Sequence, residues 1–192
     1  MHRLPLFVTA LVSASALQAQ QAPTDRGAWL IGGSAAFQRV RDVEVDRTTT
    51  FLDLNPQLGY FVFPGLALTA NLRFARASGE GFSVTSWRVG PGATYYFGEA
   101  RRRLYPYLSG QALWGWGRNA ASSPQGGEIV TRDHTWQWRL AGGGALMLVR
   151  NAAVTGELFY ARARLTARIS GGDFKEVTET YGIAVGIAVF VY

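Results

Sequence analysis

Leu66-Ala67-Leu68-Thr69-Ala70-Asn71-Leu72-Arg73-Phe74 alternates without a break. Leu66, Leu68, Ala70, Leu72 and Phe74 share one parity, and Ala67, Thr69, Asn71 and Arg73 share the other. Successive side chains of a β-strand point to opposite faces, so this is a strand with one greasy and one polar face. Similar stretches of about ten residues recur along the chain, the length that crosses a bilayer as a tilted strand.

The pattern gives eight strands, near residues 28–40, 49–62, 65–76, 83–97, 104–118, 135–149, 152–163 and 177–192. The connections at 63–65, 98–103 and 150–152 are short, whereas those at 41–48, 77–82, 119–134 and 164–176 are longer and polar. Alternating short turns and long loops fit an all-β, eight-stranded, antiparallel up-and-down transmembrane barrel with both termini at the short-turn end. In the second strand Leu52, Leu54, Leu58 and Tyr60 oppose Asp53, Asn55 and Gln57; in the sixth Trp138, Leu140, Leu146 and Leu148 oppose Gln137, Arg139 and Ala141. The fifth strand breaks the rule, since Trp114 and Trp116 have the opposite parity to Tyr105 and Tyr107. It requires a bulge near Gly110 or an inward tyrosine. The eighth is apolar on both faces, and its pattern leaves open whether Ile183, Val185, Ile187 and Val189 point in or out.

The 192-residue chain is 48% hydrophobic and 17% charged, too apolar for a disordered chain. Beyond the N-terminus no apolar run is long enough for a transmembrane helix, so any spanning is by strands. Residues 1–19 read as a secretory signal: His2 and Arg3 precede an apolar stretch and then small residues, with cleavage after Ala16 or Ala19. The alternative is a buried first helix. Residues 20–192 form the barrel domain. With no cysteine the exported chain has neither a disulfide framework nor a lipid-attachment thiol. The formal charge of +6 resides in scattered arginines rather than one basic face, which disfavours nucleic acid and suits an anionic lipid surface.

A soluble barrel also alternates but turns its apolar residues inward. Three observations turn them outward here. The polar parity carries Asp53, Asn55, Gln57, Asn71, Arg73, Arg88, Gln137, Arg139 and Glu157, while lysine, common on soluble surfaces, occurs only as Lys175. Trp87, Trp114, Trp116, Trp136 and Trp138 flank the long loops and Tyr60, Tyr95 and Tyr105 the short turns, an arrangement of two aromatic girdles. The last strand closes on Phe190-Val191-Tyr192.

The opening Gly27-Ala28-Trp29-Leu30-Ile31-Gly32-Gly33-Ser34, Pro56-Gln57-Leu58-Gly59-Tyr60-Phe61, Gly90-Pro91 before Tyr95-Tyr96-Phe97, and the terminal Phe190-Val191-Tyr192 resemble the small outer-membrane β-barrel family, the eight-stranded OmpA/OmpX-like group. The resemblance covers the mature chain and implies a monomer in the bacterial outer membrane, recognised by the barrel-assembly machinery through its last strand. The motifs are specific for fold and weak for activity; a structural or adhesive role with no cofactor is the expectation. A small-solute or hydrophobic-compound barrel is the alternative, and a lipid A-modifying enzyme a third.

Eight strands leave an interior that side chains fill. If Phe61 lies opposite Gly65, Asp53 lies opposite Arg73, with Arg88 at similar height on the next strand. This predicts an inward cluster of Asp53, Arg73 and Arg88, acting as a salt-bridged core or as an ion gate. The same counting places Arg139 and Glu157 at different heights, unpaired. At the outer rim Arg39, Arg41, Arg47, Arg76, Arg118, Arg132, Arg162, Arg164, Arg168 and Lys175 form a candidate lipopolysaccharide contact. The alternative is ordinary solvated loops balanced by Asp42, Glu44, Asp46, Glu80 and Asp133. His134 beside Asp133, with Ser83, Ser86, Ser122 and Ser123, is the one catalytic constellation to consider. It lacks the His-x-Ser order of the deacylase-like barrels, so no enzymatic activity is expected, and a lone histidine is a poor metal site.

Overall fold

Period-two alternation carries through the chain as eight strands in a computed structural model, which describes residues 22–42, 47–79, 82–98, 103–122, 128–169 and 172–192. The leader segment expected at 1–19 lies outside these. The strands are β1 (Trp29–Asp42), β2 (Arg47–Phe63), β3 (Leu66–Gly79), β4 (Phe82–Tyr96), β5 (Leu104–Ser122), β6 (Glu128–Val149), β7 (Ala152–Ile169) and β8 (Gly172–Val191). Each pairs antiparallel with the next, and β8 pairs with β1 to close the barrel. Much of the sequence expected as long polar loops is strand: β5 and β6 stay paired to Ser122–Glu128, and β7 and β8 to Ile169–Gly172. Polar residues extend a ladder as well as apolar ones once the neighbouring strand supplies the hydrogen bonds.

β3 decides which face is inside. Ala67, Thr69, Asn71 and Arg73 are buried, Arg73 to 8% exposure, while Leu68 is 53% exposed and Leu72 39%. This is a soluble protein turned inside out, and it fixes the leucines on the outer wall. At about 3.4 Å per residue, Leu66 to Phe74 runs roughly 27 Å, or about 20 Å of depth at a tilt near 40°, close to the apolar band of a membrane barrel.

The same parity holds around the wall and settles the two uncertain strands. β5 keeps one register with β6 from Leu104–Leu146 to Ser122–Glu128, so there is no bulge at Gly110. Tyr105 and Tyr107 point inward instead. In β8, Tyr181, Ile183, Val185 and Ile187 face out, and Ala184, Ala188 and Phe190 face in. Bulges occur at the base, between Phe61 and Phe63 and between Met147 and Val149, where tight turns begin.

One seam is shorter than the rest. β1 pairs with β2 along its whole length to Asp42, but with β8 only over Trp29–Ala35 against Val191–Val185. Above this point the facing edges of β1 and β8 are unpaired among the described residues. Phe37, Tyr181 and Ile183, which flank the seam, are 71%, 84% and 71% exposed.

Candidate functional site

The lumen is built in layers, and the lowest is aromatic. Inward positions at the base bring together Leu30, Phe61, Tyr96, Tyr105, Tyr107 and Phe190, packed on small residues such as Ala67, Ala145 and Ala188. Ring centroids lie 5.8 Å apart for Phe61 and Tyr96, 5.4 Å for Tyr96 and Tyr107, and 5.8 Å for Tyr96 and Phe190, within the range for favourable aromatic contact. The chain before β1 caps this plug. The Gly65 amide donates to the Thr24 carbonyl at 2.8 Å and the Gly27 amide to the Phe61 carbonyl at 2.9 Å, and Ala22 and Thr24 are buried. Tyr105, expected in the lower girdle, therefore lies 2% exposed in the plug. Parity within β5, set by Trp114 and Trp116 outside, outweighs its position near a turn.

A charged layer lies above the plug. Arg73 Nε donates to both Asp53 carboxylate oxygens at 3.0 Å, and its Nη2 donates to Oδ2. Their register differs from the count made from the sequence, since the turn is Pro64-Gly65 with Phe63 paired to Leu66, and with the bulge at Phe61/Phe63 this sets Asp53 opposite Ala75. A shift of two residues keeps both side chains on the same face. Strand tilt brings them together, because neighbours at equal height in a tilted barrel are offset along the strand by roughly one to two residues. Arg88 stands opposite Arg73, and its Nη1 donates to Gln137 Oε1 at 2.9 Å.

Tilt together with the reach of two long side chains also overturns the separation expected for Arg139 and Glu157. Arg139 is in register with Ala161, and Gly143 with Glu157, yet Arg139 Nη2 donates to Glu157 Oε1 at 2.6 Å. The Tyr107 hydroxyl donates to Glu157 Oε2 at 3.0 Å, and the Arg139 guanidinium stacks 4.4 Å over Phe159. In both ion pairs the earlier strand supplies the partner nearer the rim.

Glycine makes these long reaches possible. Gly143 lies in register with both Tyr107 and Glu157, and the Tyr107 hydroxyl passes over it. A Cβ there would overlap the Gly156 carbonyl oxygen and crowd Glu157 at 2.9 Å. Gly115 has the same relation to Arg88 and Thr135, on the path toward Gln137. The sequence signal was Gly142-Gly143-Gly144, whose function depends on the register across two hairpins.

Little space remains in these layers. Among the described residues two cavities of about 20 Å³ lie here, one lined by residues including Asn55, Gln111, Tyr107 and Glu157, the other by Asp53, Arg73, Arg139 and Phe159 among others. Each has room for about one water. Asn55 Oδ1 and Gln111 Oε1, buried without a protein partner, belong to the first cavity's lining and suit such a water. Nearer the rim the inward positions become small, with Ala36, Ala75, Ala77, Ala161, Ala163 and Gly182. Phe51 shares the inward parity of Asn55 yet is 41% exposed, so the lumen opens into a vestibule above the charged layer.

On the outer wall Trp87, Trp114, Trp116 and Trp136 are exposed toward the rim, and Trp138 is half-buried, packed at 5.2 Å on Tyr160. Tyr60 and Tyr95 are exposed near the base, with Trp29 and Phe97 beside them at 5.1 and 4.8 Å, so tryptophan is not confined to one end. Arg76, Arg118, Arg162, Arg164 and Lys175 are exposed on the rim half of their strands. Arg39 and Arg41 lie in β1, Arg47 in β2, Arg132 in β6 and Arg168 in β7, with side chains outside the described set. His134 and Asp133 point to opposite faces, His134 exposed on the wall and Asp133 buried inside with Thr135 Oγ1 3.2 Å from its Oδ1. Ser86 is buried in the lumen as well.

No family model matches the chain, and no curated protein matches it in sequence. Solved structures do match its fold. Neisserial surface protein A (NspA) aligns with 85% of this chain and 96% of its own at 13% identity and a TM-score of 0.55. The outer membrane protein OprG of Pseudomonas aeruginosa aligns with 90% of this chain and all of its own at 10% identity and 0.57. The N-terminal barrel domain of OprF from the same organism aligns over 86% and 98% at 13% identity and 0.50. The fold is that of the small eight-stranded outer-membrane barrels.

Proposed function

We propose that this chain, folded as a small outer-membrane β-barrel, resides as a monomer in the bacterial outer membrane with its plugged base toward the periplasm. There it is a closed, non-enzymatic protein of structural or adhesive type, working through its outer wall and its protruding hairpins. The observation that carries this reading is the filled lumen: an aromatic plug lies beneath two ion pairs, and the cavities found there among the described residues are of about 20 Å³. A hydrated ion would have to break both layers. The hairpins β5–β6 and β7–β8 extend well past the outward tryptophans as paired ribbons, which supports a role in surface contact. The separation of His134 from Asp133 supports the non-enzymatic part. Swelling of liposomes containing the purified barrel tests the reading: the rate in small sugars equals that of empty liposomes, and a rate graded by solute size refutes closure.

A second reading rests on the short seam. Unpaired edges in hydrocarbon leave backbone groups without partners, and such backbone is tolerated where it lines a wet cavity. The upper β1–β8 seam borders the vestibule, so an apolar compound entering sideways from the outer leaflet would rest on the charged layer without crossing it. A fluorescent fatty acid in bilayer nanodiscs should be quenched by a spin label placed at Ala36 and not by one at Ala67. Equal quenching would remove this reading.

A further inference from the structure

Between β6, β7 and β8 the outer wall near the rim carries three consecutive rungs. Trp138, Arg162 and Glu179 form one, Trp136, Arg164 and Val177 the next, and His134, Thr166 and Lys175 the third. All share the outward parity of their strands. The rung beneath them, Leu140, Tyr160 and Tyr181, is the top of the apolar band. Trp136, Trp138, Arg162, Arg164 and Val177 line an open groove of about 280 Å³ on this face.

The charge on this groove is out of balance. Arg162 Nε lies 3.8 Å from Glu179 Oε1, with both side chains about half exposed. Such an exposed pair is weak. Arg164 faces Trp136 and Val177 across its two ladders, and no carboxylate is paired with it among the described residues. With Lys175 one rung higher, three cations share these rungs with a single carboxylate among the described side chains. Arg162 and Arg164 sit two residues apart on one strand, so their side chains rise in parallel roughly 6–7 Å apart. Two guanidinium forks at that separation can converge on one phosphate.

Depth selects the ligand. A cationic groove whose floor is the upper edge of the lipid-facing band meets the headgroup layer, and the two indoles offer broad faces and N–H donors where a ring-bearing headgroup would lie. Resting on the membrane placement proposed above, we infer that this groove binds a phosphorylated glycolipid of the outer leaflet. Its phosphate is held between Arg162 and Arg164, its sugar sits against Trp136 and Trp138, and its acyl chains run down over Leu140 and Tyr181.

Native mass spectrometry of the barrel released from detergent tests this with three added lipids: a bisphosphorylated diglucosamine lipid, the same lipid with its phosphates removed, and phosphatidylglycerol. The phosphorylated glycolipid remains bound as one molecule, and each of the other two binds at least about ten-fold more weakly, as loss of charge-assisted contacts requires. Arg162→Gln/Arg164→Gln loses at least about ten-fold, while Arg26→Gln/Arg103→Gln, exposed at the opposite, base end of the barrel, stays within about two-fold. Equal binding of the dephosphorylated lipid, or an unaffected double variant, overturns the site. Equal retention of phosphatidylglycerol overturns the glycolipid assignment. A barrel that fails to insert into vesicles, read by its gel shift on heating, overturns the membrane reading itself; insertion without lipid retention overturns only this inference.

Discussion

Replacing Glu157 by alanine should be the most damaging single change in the charged layer, and the geometry says by how much. Glu157 is 9% exposed and its partner Arg139 5%, so neither charge can turn to water when the other is removed. The carboxylate accepts from Arg139 at 2.6 Å and from Tyr107 at 3.0 Å, so alanine strands a guanidinium and a phenol together. Breaking a buried pair from one side costs about 3–5 kcal/mol. Asp53 is 29% exposed, so water can enter beside Arg73 when it is removed, and Asp53→Ala should cost only about 1–2 kcal/mol. The double variant Arg139→Met/Glu157→Leu leaves no stranded charge and should recover most of the loss. Urea unfolding in lipid vesicles, followed by tryptophan fluorescence and the heat-dependent gel shift, gives all three values. An Asp53→Ala loss equal to that of Glu157→Ala, or a Glu157→Ala loss below about 1 kcal/mol, would refute the argument from burial.

Further outcomes follow from the same geometry. Gly143→Ala drives a methyl group into the Gly156 carbonyl and should cost about 1–3 kcal/mol, whereas Gly156→Ala, with nothing within 4 Å of the new Cβ, should change stability by less than about 0.5 kcal/mol in the same assay. Leu158, 65% exposed within the outward apolar band, should lose about 2–4 kcal/mol as arginine, and a neutral result would place that position outside the hydrocarbon. Hydrogen exchange in nanodiscs should find the β8-facing amides of β1 protected below Ala35 and fast above it; uniform protection along β1 would mean that the seam is closed.

The fold was readable because parity is a local property. Leu66 to Phe74 specify two faces without reference to any other strand, and the polar residues of the other strands, the near absence of lysine and the aromatic positions then turn the leucines toward lipid. Tyr105 shows the limit of that reasoning: its position near a turn suggested a girdle, and only the parity of the whole of β5 turns it inward. The interior pairs needed more than parity. Asp53 and Arg73 come together although the turn at Pro64-Gly65 shifts their register by two residues from the sequence count, and Arg139 finds Glu157 through strand tilt, a property of barrel closure, and the reach of two long side chains. Gly143 and Gly115 were visible as composition, but their task of clearing a path for Tyr107 and Arg88 exists only once three strands are aligned. The rim arginines were countable in the sequence. That Arg162 and Arg164 share a groove with Trp136 and Trp138 follows from the β6–β7 register.

Single-channel recording across a planar bilayer shows whether the plug and the charged layer close the lumen. The purified barrel, inserted and shown to be folded, should leave the current at the level of the bare bilayer across a range of voltages. Steady openings whose amplitude follows salt concentration would mean that ions pass the plug and the charged layer, and would contradict the account.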